Sequence, residues 1–121
     1  MSRLAAFAAA CALLFSAAPA LAADSGPPAD VSAVRTAELA SWPARSCVGT
    51  VPKISNVRVV GDYAVLEWDN GESGGMAAYR RDASGTWKRF MHGGGAFAAK
   101  DLEANGVPAS VAKQLMLGSP G

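Results

Sequence analysis

Cys47, Met76, Met91 and His92 are the side chains whose types point to a definite chemistry. A thiolate, two thioethers and an imidazole are the soft donors that select Cu(I) over harder cations. The strand pairing expected below sets Met76 opposite Met91. His92 follows Met91 directly, so a bend of the chain is needed to bring the imidazole to the same side. The same residues also have a plain structural use, with Met76 and Met91 filling a core and His92 exposed in a loop. No C-x-x-C or H-x-x-x-H spacing occurs, which argues against the usual structural zinc sites.

Two further fragments resemble catalytic motifs. Gly71-Glu72-Ser73-Gly74-Gly75 fits G-x-S-x-G, and His92-Gly93-Gly94-Gly95 looks like an esterase oxyanion loop. That chemistry needs the Ser on a strand-to-helix turn, a His base and an acid to orient it. In this chain a strand is expected after Ser73, and the HGGG run follows the Ser where an esterase loop would precede it. The single His would also have to act as base from inside that loop. Both runs therefore read as turn glycines. Glu67, Asp69 and Glu72 gather around one link; paired acids can carry glycosidic chemistry, and a solvated turn uses them equally well. A small secreted hydrolase using the 67–72 link or Ser73 is the enzymatic alternative to a binding role.

The elements that must position these residues are two β-hairpins in series. Asn56 to Val60 is rich in β-branched residues, and Tyr63 to Trp68 alternates in type across the two-residue loop Gly61-Asp62. A type II′ turn there pairs Val60 with Tyr63, Val59 with Ala64 and Val57 with Leu66. Val57, Val59, Ala64, Leu66 and Trp68 then share an apolar face. Arg58, Val60, Tyr63, Val65 and Glu67 share a mixed one. The second hairpin runs Met76–Arg81, turns over Asp82 to Gly85, and returns as Thr86–Met91. This register sets Arg80 against Trp87 as a cation–π pair and Tyr79 against Lys88.

Asp30 is a candidate cap for a helix running to about Trp42, with Val31, Val34, Leu39 and Trp42 near helical spacing and Pro43 as the stop. Residues 44–52 form a connecting loop. Residues 96–105 read as a short helix ended by Gly106, and Pro108 opens a last helix to about Leu117. The fold class is α+β: a four-stranded antiparallel sheet of two consecutive β-hairpins, an N-terminal helix and two short C-terminal helices. The helices are expected on one face.

Ser2-Arg3, the Ala/Leu/Phe run from Leu4 to Phe15 and Pro19-Ala20-Leu21-Ala22-Ala23 form a secretory signal peptide, cleaved after Ala22 or Ala23. The expected organisation is signal peptide 1–23, a flexible lead-in over 24–29, and one small α+β domain over 30–121. The product is secreted or periplasmic, and no membrane anchor is expected after cleavage. Loss of Arg3 leaves 10 basic and 10 acidic side chains, a balance that favours neither nucleic acid nor an anionic surface. Loss of Cys11 leaves Cys47 alone in an oxidising compartment, as a buried thiol, an interchain disulfide partner or a soft-metal ligand.

Val59-Val60-Gly61-Asp62-Tyr63-Ala64, Trp68, Gly74-Gly75, Tyr79-Arg80-Arg81, Gly85-Thr86-Trp87, Leu102 and Gly106-Val107-Pro108 carry a resemblance. Over roughly residues 55–117 the chain resembles small exported bacterial proteins of the copper uptake system-associated type. That resemblance implies a cystatin-like or NTF2-like small domain and, by association, copper as ligand. The matching positions are mainly sheet and turn residues. His92-Gly93-Gly94-Gly95 departs from the Cys-containing segment that such proteins carry. Three roles follow as expectations: a non-enzymatic exported accessory or binding module linked to copper handling, the small hydrolase, and a module that docks an unknown protein partner by a sheet edge.

Overall fold

A computed structural model describes residues 24–43 and 51–117. The expected leader, Cys47 and the last four residues lie outside the described residues. The order is helix α1 (Pro28–Ser41), strands β1 (Lys53–Val60), β2 (Tyr63–Asp69), β3 (Gly74–Arg81) and β4 (Trp87–Gly94), then helices α2 (Ala99–Ala104) and α3 (Ala109–Met116). The strands form one antiparallel sheet in sequence order, as two consecutive hairpins require.

The first hairpin turns as its residues dictate. Gly61 takes φ +60, and Val60 pairs with Tyr63 and Val59 with Ala64. Further along, the ladder shifts between Ser55 and Arg58, so the expected Val57–Leu66 pair is replaced by a bulge. Asn56 adopts φ +50 there and donates to Glu67 Oε1 at 2.8 Å. The bulge leaves the Val57 amide to an outside acceptor, Asp24 Oδ1, at 2.9 Å. Ser25 adds two backbone bonds to the same strand, and Arg35 binds Asp24 Oδ2 at 2.7 Å. The lead-in expected to be flexible thus begins clasped to the outer edge of β1.

The second hairpin corrects the sequence reading. Its turn spans Asp82–Thr86, so Arg81 pairs with Trp87, Arg80 with Lys88 and Tyr79 with Arg89. Asp82 Oδ1 accepts from the Ser84 hydroxyl and from the Ser84 and Thr86 amides, a net of bonds that closes this longer turn. The Ser84 hydroxyl and these amides hold the Asp82 carboxyl down to about 2. Arg81, not Arg80, therefore lies over Trp87, at 4.8 Å, while Arg80 covers Phe90 at 4.5 Å. A bulge between Ala78 and Tyr79 leaves Phe90 without a partner, Met91 opposite Ala78 and Gly93 opposite Met76. His92 and the first two glycines after it continue β4 rather than forming a loop.

Strand alternation makes both sheet faces apolar, and each recruits its own cover. Val57, Val59, Ala64, Leu66, Trp68, Ala77 and Tyr79 pack with Val31 and Val34 of α1. Val65, Met76 and Ala78 pack with Leu102 of α2 and with Ala112 and Leu115 of α3. The helices are thus divided between the two faces, against the expectation of one. A sheet buried on one side only would have left the second apolar set in water, at roughly 1.5–3 kcal/mol for each large side chain.

Helix α1 starts three residues earlier than expected. Pro27 is the N-cap and Asp30 sits inside the first turn, where it favours the positive helix end and binds Arg81 Nη1 at 2.9 Å. α3 begins at Ala109, with Pro108 as its N-cap. Gly106 ends α2 at φ +95, as a left-handed stop requires.

One close approach fixes the lower end of the sheet. A Cβ on Gly75 would lie 1.9 Å from the Gly93 carbonyl oxygen and 2.6 Å from the Trp68 ring. Gly75→Ala must push β4 outward or tilt Trp68, so a loss of about 2–3 kcal/mol is expected in urea denaturation. A loss below about 0.5 kcal/mol would show that the strands are not packed this closely.

Candidate functional site

The structure separates the proposed metal donors. Met76 is buried on the α2–α3 face with its sulfur accepting the Phe97 amide at 3.2 Å, and Met91 is half-buried in the same cluster. His92, one residue on, points to the opposite face, where its ring stacks on Trp68 at 5.3 Å and 8°. Met76 and Met91 therefore share an environment that His92 does not, and Cys47 lies outside the described residues. Among the described residues, no group of three or more His, Cys, Asp or Glu side chains is placed to hold a metal ion.

The acidic link and Ser73 are drawn into their own turn. Asp69 accepts the Gly71 amide at 2.7 Å, and Asn70 Oδ1 accepts the Glu72 and Ser73 amides. Among the described residues the Ser73 hydroxyl reaches only Asn70, at 3.4 Å. Glu67 lies on the α2–α3 face and binds Asn56 and the buried guanidinium of Arg58, at 3.2 Å for the latter. Glu67, Asp69 and Met76 meet around a cavity of about 290 Å³ that Gly74, Gly75 and Gly95 also line.

The other face holds a polar cluster that the sequence reading passed over. Glu38 is wholly buried in the last turn of α1. Its Oε1 accepts from the Tyr79 hydroxyl at 2.6 Å and lies 3.3 Å from Arg89 Nη1. Its Oε2 accepts from Trp42 Nε1 at 2.7 Å and lies 3.6 Å from His92 Nε2. Arg89 Nη1 also donates to Ser41 Oγ at 2.8 Å, while that hydroxyl donates to the Glu38 carbonyl at 2.7 Å. Trp42 meets Trp68 edge-on at 5.1 Å and His92 at 5.8 Å.

Each member arrives by a local rule. Val31, Val34 and Glu38 form a single stripe of α1 at intervals of three and four, and Trp42, the C-cap, follows four residues on. An acid inside an otherwise apolar stripe was the available signal for Glu38. On β4 the bulge at Phe90 shifts the alternation by one, so Arg89 and His92, three residues apart, share a face. No signal in the sequence marks that shift.

The cluster borders a cavity of about 220 Å³ lined by Ser41, Trp42, Pro43, Arg89 and His92. Burial lowers the pKa of His92, the Arg89 charge lowers it further, and Glu38 opposes both, so the imidazole is neutral at pH 7. Burial and the bond to Glu38 raise the Tyr79 phenol well above its ordinary range, so it stays a donor. Both oxygens of Glu38 are engaged by donors. The carboxylate is an anchor for what surrounds it.

Comparisons with protein-family models, with curated proteins and with solved structures find no match to this chain.

Two outcomes follow. Glu38→Ala leaves Arg89 without its counter-charge and buried donors without an acceptor, so a loss of about 3–5 kcal/mol is expected by chemical denaturation. Lowered pKa at His92 means that the unfolded chain binds the proton first. The stability it contributes is complete above pH 6.5 and is lost as pH falls from there through the lower folded value. Stability measured from pH 7.5 to 5 should show this slope, and His92→Gln should remove its share. An unchanged slope in that variant would rule out His92 as its source.

Proposed function

We propose that the protein is an exported, non-enzymatic accessory module that binds its ligand in the groove between the C-terminal end of α1 and β4. The observation that carries this reading is the saturation of Glu38. A buried carboxylate engaged by Tyr79, Trp42 and Arg89, with His92 beside it, holds an imidazole and a guanidinium rigidly at the rim of a cavity. Rigid presentation favours binding, because the affinity lost to ordering side chains is reduced. Ser73 is bonded to its own turn, and among the described residues no base is in hydrogen-bond contact with it. Export rests on the leader sequence, and among the described residues no helix is long and apolar enough to cross a membrane.

Copper is the more specific version, and one observation favours it through His92. Histidines that bind metals commonly set one ring nitrogen against a carboxylate and offer the other, and Glu38 stands 3.6 Å behind Nε2. Met76 and Met91 do not belong to that version, since they face the other side of the sheet.

The test is a Cu(I) titration of the mature protein against a chromophoric chelator, followed by tryptophan fluorescence. Copper at His92 should quench Trp68 and Trp42, His92→Ala should abolish the effect, and Met91→Leu should leave it. Binding that survives His92→Ala, or no binding at all, removes the copper version. Hydrolytic turnover lost on Ser73→Ala or Glu67→Gln with the fold intact would overturn the non-enzymatic reading itself.

A further inference from the structure

We infer that the α1–β4 groove takes a small carboxylate with a short apolar body, gripped by the free edge of Arg89 beside the His92 ring; this rests on the groove being the binding seat. The grip follows from which atoms are already engaged. Among the described residues Arg89 makes both of its hydrogen bonds through Nη1, to Glu38 and to Ser41. Among the described residues no acceptor meets its Nε or Nη2, and the side chain is 33% exposed at the cavity wall. A guanidinium fixed along one edge presents its remaining N–H groups as a planar fork, the geometry that a carboxylate matches with two parallel bonds.

His92 is fixed in the same way. Stacking on Trp68 sets its plane and Glu38 stands at Nε2, which leaves Nδ1 as the second ring nitrogen; the side chain is 32% exposed. The Ser41 hydroxyl already donates to the Glu38 carbonyl, so it adds no donor for an anion. Trp42 and Pro43 complete the wall with apolar surface, and about 220 Å³ admits a short body only.

Arg89 cancels the charge of Glu38, so an entering anion meets no net repulsion. Carboxylate and copper compete for the same groove.

The probe is sodium butyrate, titrated calorimetrically into the mature protein at neutral pH, with ionic strength matched by sodium chloride. Saturable binding is expected. Arg89→Lys should weaken it at least tenfold while near-ultraviolet circular dichroism stays native, and Lys88→Ala, exposed on the same strand, should change nothing. Failure of butyrate to saturate, or affinity unchanged in Arg89→Lys, overturns the inference. Copper binding that needs His92, with butyrate inert, sinks the carboxylate alone and keeps the seat. A folded chain that takes neither probe sinks both.

Discussion

A carboxylate taken wholly out of water costs several kcal/mol unless donors replace its hydration, more than any single aliphatic side chain returns by burial. Glu38 is in that position, and the arrangement of its face follows from satisfying it. Tyr79 from β3, Arg89 from β4 and Trp42 from beyond the end of α1 all turn toward one pair of oxygens. The helix is thereby pinned in rotation as well as in place, since a stripe of valines alone would tolerate sliding along the sheet. The same bonds immobilise the groups that border the groove, so the anchor of the fold and the frame of the candidate site are one set of contacts.

The opposite face is held differently. Leu102, Leu115 and Ala112 close over Val65, Met76 and Ala78, and its buried charge, Arg58, is met by Glu67 and by the Leu115 carbonyl near the end of α3. A cation at that end of a helix is favourable. The thioether of Met76 receives an amide from Phe97, which ties the segment after β4 back to the sheet. Chemistry-bearing types are present on this face, yet they act as packing and tether, while Glu38, Arg89 and His92 gather on the α1 side.

The two edges of the sheet also differ. At β1, a bulge frees one amide and Asp24 and Ser25 close over it. At β4 the second bulge leaves Phe90 unpaired and brings Arg89 beside His92. One irregularity therefore seals an edge and the other assembles a site, which is a common use of an extra residue in a strand.

What the residues determined by themselves is the hairpin order, the first turn, the paired faces of β1 and β2 and the helix stops. Each depends on neighbours within a few positions: Gly61 supplies the turn, Pro43 ends α1, and Gly106 ends α2. Tertiary structure alone decided the rest. The longer Asp82–Thr86 turn and the Phe90 bulge moved Arg81 onto Trp87 and set His92 on the face of Arg89, because strand register answers to cross-strand packing that local spacing does not encode. Glu38 could be seen as an acid on an apolar stripe, but its partners lie 41 and 51 residues away in the chain, and only folding brings their donors to it.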